Sequence, residues 1–101
     1  MNPDRVLSLL GLASRAQKLV LGENFVLEQL KHYPESIIFM ASDSGQNITK
    51  KVQDKAKTYN ITVVRDYSSE ELSHALGKEH RKLVLVTDKG FCMKFMEYLN
   101  S

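Results

Sequence analysis

With a single cysteine, Cys92, the chain cannot close an internal disulfide, so its fold must be held by packing alone. A lone thiol fits a reducing compartment. No apolar run approaches the roughly 20 residues needed to span a bilayer. The amino-terminal Met1-Asn2-Pro3-Asp4-Arg5 lacks the basic-then-apolar layout of a secretory signal, so a cytoplasmic location without membrane contact is expected. Two prolines and five glycines are too few for a collagen-like or low-complexity chain, and there is no repeat or linker. Charge of one sign is also missing. The formal net charge is +2 and the isoelectric point about 8.7, which is compatible with a polyanionic partner without demanding one.

Signatures of catalysis and of cofactors are absent as well. No Gly-rich loop ends in Lys-Ser/Thr, and no Gly-x-Gly-x-x-Gly follows a strand. His32, His74 and His80 are far apart, with no cysteine or carboxylate at metal-ligand spacing. Neither metal nor cofactor is therefore expected. Cys92 falls on the apolar face of the last helix, the usual place of a structural thiol.

What is present is an alternation of helical and extended patterns. At 101 residues, 43% of them hydrophobic, the chain has the size and composition of one globular domain, 1–101. Val6, Leu7, Leu10 and Ala13 recur at helical spacing after Pro3. Lys18–Leu21 is extended and ends at Gly22. Glu23–Tyr33 is helical, with Val26, Leu30 and Tyr33 on one face, and Pro34 stops it. Ser36–Ala41 reads as a strand covered on both sides. Asn47–Tyr59 is amphipathic, with Ile48, Val52, Ala56 and Tyr59 inward and Lys50, Lys51, Lys55 and Lys57 outside that stripe. Ile61–Val64 and Leu83–Thr87 are further strands. Between them Ser68 and Glu71 form a capping box, and Gly77 ends the helix. Asp88 caps a last helix with apolar Phe91, Cys92, Phe95 and Leu99. The order α-β-α-β-α-β-α-β-α implies an α/β fold with a mainly parallel sheet between helices. The order of the strands stays open.

Two places hold candidate chemistry. Asp43, Asp66 and Asp88 each follow a strand, where carboxylates can meet Mg²⁺ or a phosphoryl group, or can cap the next helix. The second place is the junction Gly22-Glu23-Asn24-Phe25. There a helix start offers backbone N–H groups to an anion or base edge, and Asn24 carries both a donor and an acceptor. Phe25 lies well off the buried face of its helix, so it either stacks on an unpaired base or packs beneath a loop. Arg15, Lys18 and Lys31 flank the junction in sequence. Lys78, Arg81 and Lys82 form a second basic cluster after Gly77. Each cluster alone is an ordinary solvated face, and the two matter only if the fold brings them together.

Leu10-Gly11-Leu12-Ala13-Ser14-Arg15-Ala16-Gln17-Lys18-Leu19, followed by Gly22-Glu23-Asn24, resembles the opening of bacterial YlxQ-type proteins. These form a branch of the kink-turn-binding ribosomal L-seven-Ae/L-thirty-e/S-twelve-e/Gadd superfamily. The likeness continues through Ile37–Asp43 and Leu72–Lys78 to Leu83–Phe91, and so covers most of the chain. It implies a three-layer α/β/α sandwich around a four-stranded mixed sheet. It also implies an RNA-binding surface made by the first strand–helix junction and the loop before the last strand. Gly22 and Asn24 match the family's Gly-x-Asn-Glu motif, and Gly77–Arg81 occupy the second loop. Three positions depart from the pattern. Phe25 stands where kink-turn readers carry Glu, Glu28 where they carry Lys, and Gln17 where the bacterial branch commonly has Gly.

The function expected from the resemblance is non-enzymatic binding of structured, kink-turn-like RNA in association with the ribosome or translation. Lys18, Lys31, Lys78 and Arg81 would hold phosphates, with Arg15 and Lys82 beside them. Gly22, Glu23, Asn24 and Phe25 would meet bases. A protein-interaction module of the same fold, anchored by Phe25, and a carboxylate-centred Mg²⁺ or phosphoryl site are the alternatives.

Overall fold

The computed structural model describes residues 3–100. The reading of the amino-terminal segment rests in part on Met1 and Asn2, which lie outside the described residues. Five helices alternate with four strands: α1 (Pro3–Arg15), β1 (Leu19–Leu21), α2 (Glu23–Gln29), β2 (Ile37–Met40), α3 (Gln46–Tyr59), β3 (Thr62–Val64), α4 (Ser69–Leu76), β4 (Leu83–Val86) and α5 (Lys89–Leu99). Among the described residues no helix is long and apolar enough to cross a membrane.

The strands form one mixed sheet in the order β1-β4-β2-β3. β2 and β3 pair in parallel, whereas β4 runs antiparallel to both of its neighbours, β1 and β2. The expectation of a mainly parallel sheet is corrected accordingly. Three strands do share one direction, as helical crossovers require, but the reversed β4 lies between β1 and β2 and makes two of the three pairings antiparallel. The cause is local. α4 has only eight residues and ends at left-handed Gly77. The chain then folds back along the helix, where Ser73 Oγ accepts the Arg81 N–H at 2.8 Å. It re-enters the sheet at the end it had left, with Leu83 opposite Met40.

Alternation along the strands builds two cores. Ile37, Phe39, Val84 and Val86 face Val6 and Leu10 of α1, Leu72 and Leu76 of α4, and Phe95 of α5. Phe39 stands 5.0 Å from Phe95 and 6.4 Å from Tyr67, ring centre to ring centre. On the other face Ile38, Met40, Leu83 and Leu85 pack on Val26 of α2, on Leu30, and on Val52 and Ala56 of α3. Both central strands are buried on both sides, which is why their sequences read as unbroken apolar runs.

Two expected core residues are half exposed, each for a geometric reason. The helix at Glu23 tightens to a 3₁₀ turn at Leu30–His32, and Tyr33 leaves helical geometry at φ −131°, so it drifts off the buried stripe. Tyr59 is displaced because the Ile61 N–H bonds back to the Ala56 carbonyl across left-handed Asn60, and Ile61 covers the space instead. The same closing pattern ends α1. Gln17, at φ 58°, donates to Ser14 O and Lys18 to Ala13 O. Gln17 thus holds a left-handed position, one that glycine adopts without strain.

Candidate nucleic-acid interface

The reversal of β4 gathers four loops on one edge of the sheet. The ends of β1, β2 and β3 and the start of β4 all lie there, with Leu21 opposite Val84 and Met40 opposite Leu83. Between them is a pocket of about 200 Å³ lined by Gly22 and Glu23 from the β1–α2 junction, Ser44 and Ile48 from the start of α3, and His80–Leu83 before β4. The two loops singled out in the sequence thus form opposite walls of a single concavity.

Each wall is fixed by backbone chemistry. Gly22 has φ 97° and ψ 133°, a conformation that side chains do not tolerate, and it begins α2 without any side-chain cap. The Glu23, Asn24 and Phe25 N–H groups therefore carry the positive end of the helix dipole outward. In the opposite wall, Gly77 and His80 are both left-handed. The Ala41 N–H donates to Lys82 O at 2.8 Å, which ties the basic segment to the end of β2. The third wall is braced by Asp43, whose carboxylate accepts from the Ser69 N–H and hydroxyl at 2.8 and 2.7 Å. Those two bonds hold its pKa below the ordinary value. Asp43 is thereby committed to positioning α4.

Asn24 and Phe25 stand just outside the pocket on the first turn of α2. Phe25 is 66% exposed, so it does not pack beneath a neighbouring loop. Its ring edge comes within 3.5 Å of where a Gly22 side chain would begin, so it forms the rim. Lys78 and Lys82 are exposed and Arg81 is half-buried, with its Nε unpaired.

Not every flanking cation joins this edge. Lys18 precedes β1, whose first residue pairs with Val86, so it sits at the opposite end of the strand, roughly 10 Å away. Arg15 lies beside the contact between α1 and α4. There a side chain on Gly11 would start 2.9 Å from the Ala75 carbonyl and 3.9 Å from the Arg15 guanidinium. Lys31 occupies the 3₁₀ turn after α2, about 12 Å along the axis from Glu23. The carboxylate constellation is also divided. Asp88 follows the reversed strand, caps α5 through the Phe91 N–H, and lies at the far edge from Asp43 and Asp66. Among the described residues no three His, Cys, Asp or Glu side chains are placed to hold a metal ion.

Five residues of this edge were not singled out as binding residues in the sequence. Ser44, Ile48, His80 and Leu83 line the pocket. Arg65, after β3, reaches the Ser42 carbonyl at 3.3 Å. Their placement depends on the order of the strands, for which no local motif gives a sign.

Residues 4–97 match the model of the ribosomal protein L7Ae/L30e/S12e/Gadd45 family. The chain is 37% identical over 92 residues to an RNA-binding protein YlxQ of Bacillus subtilis (strain 168), covering 91% of this chain and 92% of the relative. It is 34% identical over 98 residues to an RNA-binding protein YlxQ of Enterococcus faecium, covering 97% and 94%. A solved structure of a Bacillus halodurans protein of unknown function superposes with TM-score 0.87 at 34% identity, over 95% of this chain and 97% of that one. A Giardia lamblia 15.5kD RNA binding protein superposes with TM-score 0.80 at 14% identity, over 97% and 87%, and shares the fold.

Proposed function

The chain belongs to the ribosomal protein L7Ae/L30e/S12e/Gadd45 family, and from that premise we propose that it works as a single, non-enzymatic domain that binds structured, kink-turn-like RNA through the pocketed edge. The observation that carries this reading is the meeting of Gly22 and Glu23, at the first strand–helix junction, with the His80–Leu83 segment in one pocket. Its lining combines apolar Ile48 and Leu83 with a hydroxyl and backbone amides, the mixture that holds an unstacked base. Exposed Phe25 on the rim offers a stacking surface worth about 1–3 kcal/mol per base. Lys78, Arg81 and Lys82 supply phosphate contacts from one side, which makes affinity fall with salt. RNA-binding relatives at 34–37% identity support the same reading. An RNA with an unpaired base beside a helical stem fits this surface best, and a place near the ribosome or translation is part of this reading.

The test is binding to a panel of kink-turns, bulged hairpins and ribosomal RNA fragments at several salt concentrations. Lys78→Glu with Arg81→Glu is expected to lower affinity about a hundredfold or more while leaving the circular dichroism spectrum unchanged. Equal affinity in the double variant removes the pocketed edge as the RNA site. Protein partners that survive nuclease treatment, with no RNA bound, favour the protein-interaction alternative.

A further inference from the structure

We propose that the flank of α3 bearing Lys51 and Lys55, with Lys31 on the neighbouring 3₁₀ turn, is a second phosphate-binding surface that holds an RNA stem leaving the pocket. The inference rests on RNA binding at the pocket and extends it along the molecule.

Charge is distributed unevenly. α3 carries four lysines and one acid, Asp54, a net +3 within 14 residues, whereas the whole chain carries +2. The remainder of the protein is thus net −1, and α3 is where its positive charge collects. All four lysines are exposed. Asp54 forms no ion pair within 4.0 Å with any of them. Among the described residues the ion pair within 4.0 Å is Lys94–Glu97, on α5.

The lysines separate into two rows. Val52 and Ala56 mark the buried face of α3. At about 100° per residue, Lys55 and Lys51 fall within about 60° of Ile48, on the same flank, while Lys50 and Lys57 lie on the other. Ile48 lines the pocket together with Gly22 and Glu23, and like Leu27 of α2 it packs against the core beneath the two helices. The Ile48 flank therefore faces the start of α2, and Lys51 and Lys55 continue from the pocket along α3. The 3₁₀ turn carrying Lys31 follows α2 and packs on α3. Three exposed ammonium groups thus track away from the pocket over one to two helical turns. Flexible lysine stems suit a contact with backbone phosphates that carries no sequence information.

The experiment uses the full chain and two RNA probes: a bulged hairpin with a long stem, and the same bulge with the stem trimmed to a few base pairs. Lys31→Ala, Lys51→Ala and Lys55→Ala together are expected to weaken long-stem binding at least about tenfold and to reduce the salt slope by about 2–3. Binding of the trimmed RNA stays at the level of the unchanged chain. Lys50→Ala with Lys57→Ala changes neither probe. The proposal is overturned if the unchanged chain binds the long-stem RNA and the triple variant matches it in affinity and salt slope. If the unchanged chain binds neither probe, the reading of the pocket itself fails and the ridge falls with it.

Discussion

The two edges of the sheet are built from the same strands and differ in nearly everything else. At the loop edge a small pocket of about 200 Å³ is walled by backbone and cations. At the opposite edge an open groove of about 1060 Å³ is lined by Tyr33, Pro34, Met93 and Met96, with Glu35 and Glu97 set against His32 and Lys89. Six buried side-chain polar atoms lack a hydrogen-bond partner among the described residues. Five of them, on Ser44, Thr49, Arg65, Tyr67 and Arg81, belong to the loops or first helical turn at the loop edge, and Ser36 alone to the other. Unpaired buried polar atoms are costly in a finished core and at home beside a polar ligand surface. The difference teaches that direction decides the site. By entering the sheet reversed, β4 delivers its preceding basic loop to the edge where β1 hands over to α2.

The comparison can be broken at its root. Phe39 is fully buried on β2, between the Phe95 and Tyr67 rings. Phe39→Ala is expected to cost about 3–5 kcal/mol, measured by urea denaturation, and to loosen both edges together. Gly11→Ala breaks it on one side. The added methyl meets the Ala75 carbonyl at 2.9 Å, so α1 and α4 must part. A loss of about 1–3 kcal/mol is expected, with amide exchange rising in residues 77–82 more than in residues 33–36. The smallest change sharpens the contrast. Gln17 is left-handed at the end of α1, remote from the pocket. Gln17→Gly is expected to stabilise the chain by up to about 1 kcal/mol, read as a raised Tm, with RNA affinity unchanged.

Much of this was legible in the sequence wherever the cause is local. The Ser68–Glu71 capping box, the left-handed Gly77 and the Asp88 cap all stand as their residue types require. Helical periodicity put Phe25 off the buried face while leaving its exposure open, and the apolar runs at Ile37–Met40 and Leu83–Val86 announced strands covered on both faces. Strand order was not legible. It depends on how a short α4 and the turn at His80 redirect the chain, and on pairing across more than 40 residues between β2 and β4. The site inherits that limit. Lys18 neighbours the junction in sequence yet lies at the other end of β1, because three extended residues carry the chain from one edge to the other. His80 and Ile48 carry no motif and reach the pocket only through the assembled fold.

Amide chemical-shift mapping during titration with a bulged RNA hairpin tests the central claim most directly. The account predicts shifts concentrated at residues 22–25, 44–48 and 78–83, with residues 33–35, 60–62 and 93–97 of the groove edge left in place. Shifts confined to the groove edge, with the loop edge silent, would contradict it.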